Sequence, residues 1–96
     1  MAINQNLVIV SYSDSKLRIL VEEYITQQKT EFTFEGVCSY ILYWAMEDGK
    51  ATKAQDSLFE GNELKPADQE RIRQILDAII RDGRIAPAEG DVYRKL

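Results

Sequence analysis

The stretch Leu64-Lys65-Pro66-Ala67-Asp68-Gln69-Glu70-Arg71-Ile72, continued through Arg81-Asp82-Gly83-Arg84-Ile85, decides how the chain is read. Pro66 suits the first position of a helix, where its missing N–H costs nothing. Asp68 and Glu70 then sit near the positive end of the helix dipole. Ile72, Ile75, Leu76, Ile79 and Ile80 recur at helical spacing and make one apolar stripe. Gly83 falls where a left-handed residue closes a helix, so the pattern predicts a helix over 66–82. After it, Arg84-Ile85-Ala86 reads as a strand, residues 87–91 as a turn and Val92-Tyr93-Arg94-Lys95-Leu96 as the returning strand.

Working back from there, Gly61-Asn62 is a turn signal, and residues 52–59 are compatible with a short helix that turns Ala54, Leu58 and Phe59 inward. Residues 34–47 form a helix with almost no polar residue: Phe34, Val37, Cys38, Tyr40, Ile41, Leu42, Tyr43, Trp44, Ala45 and Met46. Such a helix is either central and covered on both sides or partly covered by another molecule. Asp48-Gly49 ends it. Residues 31–34 are a short strand, or Thr33 is the N-cap of that helix. Before them, Leu17, Leu20, Val21, Tyr24 and Ile25 mark a helix over 14–28, capped by Ser13 or Asp14. Leu7-Val8-Ile9-Val10 reads as a strand.

A chain of 96 residues has room for one core. With 45% hydrophobic and 29% charged residues it has the composition of an ordered globule. There is no histidine, which removes Ser-His-Asp and Cys-His chemistry and most zinc sites. Cys38 lies in an apolar run and reads as a small core residue. The glycines form no phosphate loop, and the pairs Glu22-Glu23 and Glu47-Asp48 read as solvated helix positions. The expectation is therefore a binding protein rather than an enzyme, with no cofactor and no metal. No apolar run is long enough to cross a bilayer, and the start lacks a signal-peptide pattern. With a single cysteine these features predict a cytoplasmic protein with no membrane partner.

The order long helix, Gly-Arg-Ile, tight turn and Val-Tyr-Arg over residues 64–96 resembles the end of a winged helix-turn-helix domain. The resemblance implies a helix-rich α+β fold: a three- or four-helix core, a C-terminal β-hairpin as the wing, and an N-terminal strand and helix added to it. It implies one domain over 1–96, with 1–30 as the addition and 33–96 as core and wing. In this register 34–47 is the first core helix, 52–59 the second and 61–65 the turn. Taking 14–28 as the first helix instead leaves a gap before residue 66 that is long for a turn.

Two functions compete. In the superfamily the helix before the wing reads DNA, which makes Arg73, Gln74 and Arg81 candidates for base contacts and Arg84, Arg94 and Lys95 for phosphates. This is the expectation of a DNA-binding regulator of transcription. Against it, Arg73, Asp77 and Arg81 stand four apart and can pair along the helix, while Glu70, Glu89 and Asp91 dilute the positive face. Residues 1–64 carry five Lys/Arg and ten Asp/Glu, residues 65–96 seven and six, for a net charge of −4. The alternative is an acidic protein-interaction or dimerisation module that binds no nucleic acid. Its candidate interface is Tyr40, Tyr43 and Phe32, with Trp44 and Phe34 expected inside the monomer.

Overall fold

The computed structural model describes residues 7–53 and 63–96. In chain order these form β1 (Leu7–Val10), α1 (Asp14–Gln27), β2 (Glu31–Thr33), α2 (Phe34–Glu47), β3 (Ala51–Lys53), β4 (Glu63–Leu64), α3 (Pro66–Arg81), β5 (Ile85–Pro87) and β6 (Val92–Lys95). The helix-rich α+β class and the C-terminal hairpin agree with the sequence.

α1 and α2 start where a side chain supplies a partner for an orphan N–H group. Ser13 Oγ accepts from the Lys16 amide at 3.2 Å, and Thr33 Oγ1 accepts from the Gly36 amide at 3.0 Å. The two readings of residues 31–34 are thus both correct, because Thr33 ends β2 and caps α2. α3 has no side-chain cap and begins on Pro66. At its far end Gly83 takes φ 78°, and its amide bonds the Ile80 carbonyl at 2.9 Å. Gly36 has a different reason to be glycine: a Cβ there would collide with the Tyr24 hydroxyl, which packs onto the first turn of α2.

Two three-stranded sheets hold the helices. One has the order β2-β6-β5, with Phe32 opposite Tyr93 and Ala86 opposite Arg94. The other has the order β3-β1-β4, with β1 antiparallel to β3 and parallel to β4. A single buried cluster joins Leu17, Leu20, Val21 and Ile25 of α1 to Val37, Ile41 and Ala45 of α2 and to Ile72, Leu76 and Ile79 of α3. Each of the larger side chains contributes about 1.5–3 kcal/mol by leaving water. Ile75 and Ile80 are only partly buried, so the α3 stripe is narrower than its spacing suggests.

The division into an N-terminal addition and a core over 33–96 is not how the core is built. α1 supplies four of its buried residues and packs against both other helices. The three core helices are α1, α2 and α3. The long gap before residue 66 is no obstacle, because its described residues are strands rather than a turn: 51–53 form β3 and 63–64 form β4, one on each side of β1. Of the helix expected over 52–59, Thr52 and Lys53 lie in β3, and the remainder lies outside the described residues.

One polar cluster sits where these elements converge. β4 ends after Leu64, so beyond it β1 has no strand on that side. Asp68, in the first turn of α3 and buried, takes over: its Oδ2 accepts the Val10 amide at 2.9 Å. Its Oδ1 accepts from Arg71 Nη1 at 3.1 Å. Arg71 also donates to the Tyr12 carbonyl at 2.7 Å and holds Asp14 at 2.8 Å. Partial burial opposes the Arg71 charge, but Asp14 and Asp68 outweigh it and the guanidinium pKa is raised. The Tyr12 hydroxyl then donates to Asp48 at 2.6 Å, beyond the end of α2. Burial, reinforced by Asp48, raises the Tyr12 pKa and keeps the phenol protonated. Asp68→Ala should cost about 1–3 kcal/mol in urea unfolding, since it strands a buried amide and one arm of Arg71. Asp68→Asn, which can still accept from Val10, should cost less. Equal stability of Asp68→Ala and the unaltered chain would contradict this assignment.

Candidate functional site

The residues proposed to grip nucleic acid are mostly engaged inside the molecule. Arg73 lies with its guanidinium carbon 3.8 Å from the centre of the Phe34 ring and its Nη2 3.4 Å from Asp91 Oδ1. It does not pair along the helix with Asp77, as the four-residue spacing suggested, because the hairpin turn brings Asp91 within reach instead. Arg84 Nη1 is 3.0 Å from Glu22 Oε1 of α1. Arg94 Nη2 is 3.3 Å from Glu31 Oε2, its neighbour across the β2–β6 ladder. Lys95 Nζ donates to the Gln28 carbonyl at 2.8 Å. Gln74 and Arg81 alone of the six are exposed with no side-chain hydrogen bond or ion pair among the described residues. The hairpin turn carries Glu89 and Asp91, and α2 carries no Lys or Arg.

The charges at the α1–α3 junction form a chain from Asp82 through Arg18 and Glu22 to Arg84, with links of 3.3, 2.7 and 3.0 Å. The hydrogen bond from Arg18, then that from Arg84, hold the Glu22 carboxyl below its ordinary range.

The aromatic residues divide differently from the expected interface. Phe32 is 4% exposed and stacks on Tyr93 at 5.4 Å, because the β2–β6 register sets both rings on the inward face. It is a core residue and not part of an interface. Tyr40 is half-buried, with its hydroxyl 3.2 Å from Gln27 Nε2 and 3.4 Å from Glu23 Oε1. Tyr43 is 57% exposed, as an interface residue requires. Phe34 is buried as expected, but Trp44 is not: it is 38% exposed. Val37, Ile41 and Ala45 occupy the inward face of α2, which leaves Trp44 on its flank. The rings run from core to surface in one series. Tyr93 stacks on Phe32, Phe32 meets Tyr24 at 6.0 Å, and Tyr24 meets Tyr40 at 5.2 Å. Tyr40 meets Trp44 at 6.4 Å, and Trp44 meets Tyr43 edge to face at 5.3 Å.

On the opposite flank of α2 an open groove of about 510 Å³ is lined by Phe34, Cys38, Leu42, Leu64, Gln69 and Asp91 among others. Burial pushes the Cys38 thiol up to about 12, so it stays protonated at neutral pH and is a poor nucleophile. Among the described residues no group of His, Cys, Asp and Glu is placed to hold a metal ion, and no helix is long and apolar enough to cross a membrane.

No protein-family model matches the chain, and comparisons with curated proteins and with solved structures return no match. The winged-helix resemblance therefore stands on the order of elements alone.

A carboxylate whose folded pKa is depressed stabilises the fold above its ordinary range and loses that contribution as pH falls through the folded value. Glu22→Gln should lower the thermal midpoint at pH 7, and the difference from the unaltered chain should shrink once pH falls below the ordinary glutamate range. The effect stays below about 1 kcal/mol because all partners are a third or more exposed. A difference that persists undiminished to acid pH would show that Glu22 acts by packing rather than by charge.

Proposed function

We propose that the protein is an interaction module that docks another protein through the outer edge of α2, where Tyr43 and Trp44 stand. The observation that carries this is the exposure of both rings, packed edge to face. Tyr and Trp offer a large rigid contact area with a polar handle, and residues of this kind dominate protein interfaces. The series of rings behind them connects Trp44, and through it Tyr43, to the core. A single cysteine, which cannot close an internal disulfide, suits action in the reducing cytoplasm.

A second reading is a DNA-binding regulator of transcription using the outer face of α3. It is favoured by the exposure of Gln74 and Arg81 and by the hairpin that follows α3 directly. It ranks lower because Arg73, Arg84 and Arg94 already hold carboxylates and Lys95 a backbone carbonyl.

A photo-activatable benzoylphenylalanine placed at position 43 or at position 74 separates the two. Irradiation in cells should give discrete protein adducts from position 43 and none with nucleic acid from position 74. Nucleic-acid adducts from 74 with no protein adduct from 43 would reverse the ranking.

A further inference from the structure

We infer that the segment docking on Tyr43 and Trp44 is basic, an arginine- or lysine-rich stretch of a different protein; this rests on the docking reading above. The warrant is the charge around the rings. Glu23 Oε1 lies 3.4 Å from the Tyr40 hydroxyl, on the α1 side of the aromatic edge. Glu47 follows Tyr43 by four residues and Trp44 by three, so it shares their side of the helix. Neither carboxylate has a Lys or Arg at ion-pair distance among the described residues, whereas Arg18, Arg71, Arg73, Arg84 and Arg94 each hold an acid elsewhere. Lys50, the cation next in sequence, follows the left-handed turn at Gly49 and pairs with neither.

Open aromatic faces beside unpaired carboxylates are complementary to cations in two ways. The ring faces attract them through the π quadrupole, and the carboxylates attract them by charge. The molecule already makes one contact of the first kind, between Arg73 and Phe34. A second copy of the chain fits poorly. A symmetric pair would set the Glu23 and Glu47 rims of two molecules, each of net charge −4, against one another.

Trp44 is the only tryptophan in the chain, so its emission reports on this face. The full chain is titrated with deca-arginine and with deca-glutamate at low salt, and deca-arginine is repeated at higher salt. Deca-arginine should change Trp44 emission saturably and in a salt-sensitive way, and deca-glutamate should not. The Glu23→Gln/Glu47→Gln double variant should weaken deca-arginine binding about tenfold, the equivalent of two exposed charge contacts. Tyr43→Ala should weaken it too while keeping the far-UV circular dichroism. No response at low salt, or an affinity untouched by the double variant, overturns the basic partner. Sedimentation velocity separates the remaining case. Self-association that Tyr43→Ala abolishes would keep the docking face and replace the basic partner with a second copy. Adducts at position 43 test the docking reading independently of either result.

Discussion

The carboxylate of Asp68 does two things at once: it continues the β1 ladder past the end of β4, and it helps to fix Arg71. A buried carboxylate without partners is expensive, and here both oxygens are satisfied. Because Arg71 reaches Tyr12 and Asp14 from the same guanidinium, the start of α3 is tied to the start of α1. The Tyr12–Asp48 bond extends the tie to the end of α2. The junction thus links the ends of all three helices by polar contacts, beside the apolar cluster that they share.

The second consequence concerns charge. Packing the helices this way places Glu22 against Arg84, and the β2–β6 ladder places Glu31 against Arg94. Of the five arginines in the C-terminal third, Arg71, Arg84 and Arg94 then hold acids from the N-terminal half and Arg73 holds Asp91, which leaves Arg81 alone without an acid among the described residues. What the surface retains is a set of carboxylates, an exposed aromatic edge and, among the described residues, a few cations such as Lys16, Lys29 and Arg81 with no acid at ion-pair distance. A phosphate-binding face needs concentrated free cations, and the pairing removes most of them. The same pairing leaves Glu23 and Glu47 uncompensated beside Tyr40, Tyr43 and Trp44.

The sequence is legible where the physics is local. Pro66, the isoleucine stripe and Gly83 delimit α3, and Ser13 and Thr33 mark two helix starts, because caps and periodicity act within a few residues. The pairing of β1 with β3 and β4 was not legible, since it joins residues more than forty positions apart through strands of two to four residues. Without that pairing the stretch before residue 66 looks too long for a turn, and α1 is left outside the core that it joins. The sites failed for a related reason. Helical spacing says that Tyr40, Tyr43 and Trp44 share a side, but not whether that side faces inward, and it gives no hint that Phe32 meets Tyr93. Asp68 was legible only as a charge near a helix start. Its partner, the Val10 amide, is 58 residues away.

We propose that Arg71, Arg73, Arg84, Arg94 and Lys95 hold the fold together rather than a nucleic acid. A fluorescence-anisotropy titration with random-sequence duplex DNA at low salt, where phosphate attraction is strongest, tests it most directly. The account predicts no binding. Micromolar binding that weakens with salt and with Arg81→Ala would contradict it and return α3 to the role of a reading helix.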